Sequence, residues 1–165
     1  IFVDAASSKT AEDALALLRK SLGSLPVVPL AFNCAPCEVM TKWVTDTVPD
    51  WLILREEVEI REKADLGVIH CKQKDIEDEE IIELAKNGSV SKLALEWENN
   101  LKFILVEDGT LKRLKFDDNI TEKNDDIVKE DVTARFDADF VLMVNVLGET
   151  VDGLIKEFGG LKDRL

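Results

Sequence analysis

The stretch from Leu93 to Phe116, LALEWENNLKFILVEDGTLKRLKF, constrains the fold most, because three strand signals follow one another with only tight turns between them. Leu93, Leu95 and Trp97 recur at every second residue while Glu96 and Glu98 take the opposite side, the period of a strand with one buried face. Asn99 and Asn100 suit a turn, Leu101 to Val106 forms a returning strand, and Asp108-Gly109 is a strong hairpin signal before Leu111 to Phe116. A three-stranded antiparallel meander is predicted. Simple alternation along its last strand places Leu114 and Phe116 on one face and Arg113 and Lys115 on the other, away from the core.

Further toward the N-terminus, Ala11 to Leu30 reads as a sharply stopped helix followed by a strand. Thr10 is the expected cap, with Glu12 and Asp13 near the positive end of the helix dipole and Arg19 and Lys20 near the negative end. Leu15, Leu18 and Leu22 form one apolar stripe with Ala11, Gly23 closes the helix, and Pro26 prevents it from resuming. Val27 and Val28 favour a strand that Pro29 confines to an edge or ends early. With Ile1 to Ala5 as the end of a strand, helix Thr10–Leu22 and strand Val27–Phe32 make a β-α-β unit.

Between this unit and the meander we expect a short helix over Pro36 to Val44 and extended segments at Trp51 to Leu54 and Val58 to Ile60. A strand at Val68 to Cys71 and a helix from Glu77 to Lys86, ended by Asn87 and Gly88, follow. After Asp131, Val132, Phe136, Phe140, Met143, Val144 and Leu147 recur near the helical period, and Val151, Leu154, Ile155 and Phe158 continue it. Two helices broken at Gly148 are predicted, with a strand over Val141 to Val146 as the alternative. The fold class is α+β: a β-α-β unit, an antiparallel meander and C-terminal helices. Residues 1–165 are read as one domain or as two lobes, 1–66 and 67–165.

At 165 residues with 45% hydrophobic content, the chain can bury a core. No apolar run approaches the roughly 20 residues that span a bilayer, and nothing resembles a cleavable signal, so a cytoplasmic protein without membrane attachment is expected. Three cysteines do not make a secreted disulfide framework. The net charge of −13 would ordinarily argue against nucleic acid as a partner. Acids, however, concentrate at Glu56 to Asp65, Asp75 to Glu83 and Asp117 to Asp131, while basic residues collect at Lys72 and Lys74 and at Lys112, Arg113 and Lys115. An acidic exterior and a basic working surface can coexist, because local potential outranks net charge.

Three segments, AEDALALLRKSLGSLPVVPL, GTLKRLKF (Gly109 to Phe116) and RFDADFVLM (Arg135 to Met143), together with LALEW (Leu93 to Trp97), closely resemble the RdgC family of bacterial recombination-associated proteins. They stand in the family's order and spacing, and the resemblance runs from Val3 to Gly160. It implies the C-terminal portion of a protein that forms a homodimeric ring, encircles duplex DNA with little sequence preference and restrains RecA-driven recombination. A nucleoid-associated location follows from the same resemblance. In the family, the turn at Lys72, Gln73 and Lys74 looks like part of the positively charged inner surface. This chain departs from the pattern at His70, where the family carries Arg, and it reorders the Lys and Gln that follow.

Read from the residues alone, Lys72, Gln73 and Lys74 follow a strand and precede an acidic helix, where long side chains can reach phosphates without touching base edges. An ordinary solvated turn is the competing account. Lys112, Arg113 and Lys115 could track a phosphate backbone or pair across strands with Glu96 or Glu98. Lys92 could extend the surface. Cys34 and Cys37 form a CxxC after the β-α-β unit, which offers a thioredoxin-like thiol-disulfide oxidoreductase as the alternative function. Zinc is disfavoured, because His70 and Cys71 are adjacent and poorly arranged to complete a tetrahedral site with that pair. The sequence contains no P-loop, GxGxxG or nucleophile elbow, and its single His suggests no triad. A non-enzymatic DNA-binding protein without cofactor or metal is the expectation.

Overall fold

A computed structural model describes residues 1–62, 67–124 and 131–163. Its elements run α1 (Ser8–Leu22), α2 (Pro36–Thr45), β1 (Ile53–Glu62), β2 (Val68–Lys72), α3 (Glu79–Asn87), β3 (Gly88–Trp97), β4 (Leu101–Val106), β5 (Leu111–Phe116), α4 (Asp118–Thr121) and α5 (Val132–Glu157). The predicted meander is present as β3-β4-β5. It belongs to a five-stranded antiparallel sheet of order β2-β1-β3-β4-β5, so the α+β class holds. The chain divides into two compact units, Ile1–Leu30 and Ala31–Leu165. The boundary anticipated at residue 66 lies outside the described residues, and β1 and β2 on its two sides pair with each other.

In the first unit the helix forms but the β-α-β unit does not. Ser7, not Thr10, is the cap: its hydroxyl accepts the Thr10 N–H at 3.2 Å, so the helix begins at Ser8. Glu12 and Asp13 therefore fall beyond the first turn. Gly23 closes the helix at φ 80°. Residues 1–5 and 27–31 form no strand, and Phe32 makes only an isolated bridge with Leu161. Pro29 within the predicted six-residue strand Val27–Phe32 and Pro26 just before it explain the second absence, since each lacks an amide donor.

The second unit packs helices on one face of the sheet. Val58, Ile60, Val90, Leu93, Leu95, Leu101, Phe103 and Leu105 meet Val39, Met40, Trp43 and Val44 of α2, Ile81 and Ala85 of α3, and Val146 and Leu154 of α5. Phe158 is fully buried, stacked on Trp43 at 6.0 Å between centroids and edge-on to Phe32 at 4.8 Å. Thr41 joins α2 to the sheet: its hydroxyl donates to Cys37 O and accepts the Val90 N–H at 2.9 Å.

Residues 132–157 are one continuous helix rather than two, and no strand forms at Val141 to Val146. Its first half leaves Phe136 and Phe140 exposed and stacked on each other, while its second half enters the core. Gly148 has open space around it, whereas a methyl on Gly153 would meet the Trp51 ring at 2.8 Å. Gly148→Ala should therefore raise stability by about 0.5–1 kcal/mol, the helix-propensity gain, and Gly153→Ala should lower it. Urea-unfolding midpoints of the two variants check both signs, and a neutral or destabilising Gly148→Ala would contradict an unbroken helix.

Candidate nucleic-acid interface

The opposite face of the sheet is polar, and its composition follows from register. Paired residues share a face, so Glu57 lies with Lys72, Glu59 with His70 and Lys92, Glu96 with Lys102, and Lys102 with Lys115. Three irregularities shape this face. Between Leu54 and Val58, β1 carries Arg55, Glu56 and Glu57 opposite Ala94 alone; Ser91 is an extra residue in β3; and Arg113 and Leu114 together oppose Phe103.

The last bulge corrects the simple alternation expected for β5. Arg113 takes a left-handed backbone at φ 52°, and Lys112 and Lys115, three residues apart, come to the same face. Leu114 is left 40% exposed instead of sharing the core with Phe116. The expected pairing of this strand with Glu96 or Glu98 is not what forms. Arg113 donates to Glu57 at 2.8 Å, and Glu96 is taken by Arg55 and Lys102. Among the described residues Lys112 and Lys115 face no ion-pair partner, and both are exposed.

Lys72, Gln73 and Lys74 separate from one another. Lys72 closes β2 and lies 3.6 Å from Glu57, on the polar face. Gln73 has φ 56°, and its N–H donates to Glu56 O at 2.8 Å. Lys74 turns to α3, where the Glu80 carboxylate bonds it at 3.0 Å and raises its pKa above the ordinary lysine value. Lys92 is on the polar face, its ammonium 2.6 Å from Glu59. Thus Lys72, Lys92, Lys112, Arg113 and Lys115 share one surface, and Lys74 is drawn away from it.

Sequence reasoning placed Glu96 on this side of the sheet as a partner for cations but gave no role to Glu59, and it did not anticipate that both acids are buried. Glu59 and Glu96 are only 5% and 7% exposed. Glu59 accepts from Ser91 Oγ at 2.7 Å and from Lys92, and it meets His70 Nε2. Burial by itself would push its pKa up; the hydrogen bonds from Lys92 and Ser91 and the charges of Lys92 and His70 outweigh that and hold it below 4.5. The in-register pairing that assembles this cluster depends on the Ser91 bulge, which no local pattern announces.

The oxidoreductase alternative loses the strand on which it rested. Cys34 is an exposed free thiol and Cys37 a half-buried one at the start of α2, but residues 27–31 leading to them are not extended into a sheet. Among the described residues no three His, Cys, Asp or Glu side chains are grouped to hold a metal ion, and no helix is long and apolar enough to cross a membrane.

The fold and this face define an α+β protein with a mixed-charge sheet surface whose edge strand presents lysines without an ion-pair partner among the described residues. A family model described as "Putative exonuclease, RdgC" matches residues 1–161, and the chain belongs to the RdgC family. Curated relatives named recombination-associated protein RdgC agree over the whole chain. Those of Haemophilus influenzae and Mannheimia succiniciproducens are each 58% identical, covered over 56% and 55% of their length, and that of Pasteurella multocida is 59% identical over 55%. The chain thus spans about half the length of the relatives it matches.

Because Glu59 is held ionised by its native partners, its contribution to stability is complete above its ordinary value of 4.5 and is lost as pH falls through the lowered native value. Glu59→Gln should cost about 2 kcal/mol at neutral pH, the range for hydrogen bonds to a charged group. The loss should shrink as the native protein is acidified below that value. Parallel urea unfolding of both proteins across the acid limb measures it; a gap that stays constant with pH would place the acid sensitivity elsewhere.

Proposed function

We propose that the polar sheet face binds duplex DNA through its phosphates without reading sequence. The observation that carries this reading is the exposed pair Lys112 and Lys115, which the β5 bulge brings to one face among the described cations with no acid to neutralise them. Long ammonium side chains on a strand contact phosphate oxygens and carry no base information, so affinity without sequence choice follows. Arg113, Lys72 and Lys92 extend the surface. Lys74 and Gln73 contribute at its border, Lys74 only when it leaves Glu80.

In the complete protein this surface would line a homodimeric ring, closed around the duplex, so that modest phosphate contacts suffice. Covering the duplex would restrain RecA-dependent recombination by limiting access to it, and such a protein works on the nucleoid in the cytoplasm. The names of the relatives, which place them in recombination, support this reading. The acidity of the chain as a whole does not stand against it on this face, since Glu57, Glu59 and Glu96 are occupied by cations rather than free to repel phosphate.

We read the protein as a binder rather than an enzyme, against the exonuclease wording of the family description. End-labelled duplex incubated with the protein and Mg²⁺ or Mn²⁺ should remain full length; progressive shortening would reverse this reading. Binding of labelled duplex should weaken steeply with salt and be equal for unrelated sequences. Lys112→Ala and Lys115→Ala should each reduce the slope of log affinity against log salt by about 0.9. Unchanged slopes in both variants would move the contact surface away from β5.

A further inference from the structure

The cations of the polar face are held by two kinds of carboxylate, and the difference between them is informative. Glu59 is buried on β1 and takes three donors, His70 from β2 and Ser91 and Lys92 from β3, so removing its partners would leave a charge stranded out of water. Glu57 is different. Its side chain is 23% exposed, and it touches two cations that are themselves more than half exposed, Arg113 at 64% and Lys72 at 55%. These two come from β5 and β2, opposite edges of the sheet, and meet at Glu57 in the three-residue bulge of β1.

Carboxylate and phosphate oxygens accept from the same ammonium and guanidinium donors, and Arg matches both in the same forked geometry. An exposed pair is worth little to the fold, so exchanging its carboxylate for a phosphate is cheap. The backbone points the same way. Arg113 holds a left-handed conformation, which a residue with a Cβ adopts only at a cost, and this bulge places its guanidinium on Glu57. Gln73, the other left-handed residue next to the face, is bonded to the adjoining Glu56 and fixes the end of β2 that carries Lys72.

We propose that Glu57 is an internal stand-in for phosphate: it holds Arg113 and Lys72 in place in the free protein and is displaced from them when duplex DNA arrives. This inference rests on the DNA-binding reading above. Glu57 then sets affinity from within, positioning two cations while competing for them, and it makes the face weaker toward DNA than its lysines and arginine alone would be.

The test is binding of a labelled random-sequence duplex, over a range of salt, by the native chain, Glu57→Gln and Glu57→Asp. Glu57→Gln keeps the shape but lacks the charge, and should bind about twofold to thirtyfold more tightly, the range that two exposed ion pairs span. Its salt slope should steepen by up to roughly 1.8, since each freed cation can neutralise one more phosphate. Glu57→Asp, which keeps the charge and shortens the reach, should show part of the gain and serves if the first variant folds poorly. Arg113→Gln should weaken binding more in the Glu57→Gln background than in the native one. Native binding with unchanged or weaker binding by both Glu57 variants would overturn the role of Glu57 alone. Salt-independent or absent binding by the native chain and both variants would overturn the DNA-binding reading and this one with it.

Discussion

The arrangement of the sheet depends on one buried carboxylate. Glu59 lies on β1 and receives Lys92 and the bulge residue Ser91 from β3 and His70 from β2, so a single side chain ties three strands together. A one-residue slip in any of these pairings would turn Glu59 toward Val58's side of the sheet, into the helices, with none of its donors. That penalty fixes register as firmly as the apolar pattern does. It also leaves the sheet two-sided in character: α2 and α3 cover the aliphatic face, and the other face is organised by charge.

Much of this architecture was legible where local pattern and tertiary packing agree. Leu93, Leu95 and Trp97, followed by Asn99 and the Asp108-Gly109 turn, specify a meander in any context. The bulge in β5 was also written there, though alternation alone overlooks it. Leu111 and Phe116 both side with the core, yet they are five residues apart, an odd separation that an unbroken strand cannot place on one face. One extra residue resolves the parity, and the same step brings Lys112 and Lys115 together. Likewise Leu147, Val151 and Leu154 keep helical spacing straight across Gly148, so the glycine is tolerated inside one helix. The failed strand after α1 is the converse case: the Val27-Val28 propensity was real, but two prolines left too few amides for a ladder. What could not be read was the partnership of Glu59, Lys92 and His70, because it joins residues far apart in sequence through a register that a bulge sets.

Net charge does not describe this face, because its acids are paired. An acid within a cluster of cations repels phosphate much less than a free one, and Glu57, Glu59 and Glu96 are all so occupied. Lys112 and Lys115, which have no ion-pair partner among the described residues, sit on β5, an edge strand with one neighbour among the described strands, so fewer acids can reach them. Edge lysines also discourage strand-to-strand association, since bringing two such edges together would desolvate and oppose like charges. The two roles make the same demand, a long, solvated, unneutralised cation at the rim.

Strain separates the two lysines from their neighbour. Asn99 also has a positive φ, but it occupies a tight turn and belongs to a residue type that tolerates this conformation. Arg113 has neither excuse, and glycine would fill its bulge at lower conformational cost. Packing does not account for the arginine, because its side chain is largely exposed and its bond is to another surface residue. The strain is therefore spent on where the guanidinium stands. On a face whose buried acids hold their cations for the sake of the fold, Arg113 is the cation whose position costs the fold something, and that asymmetry is what the proposed exchange of Glu57 for phosphate would explain.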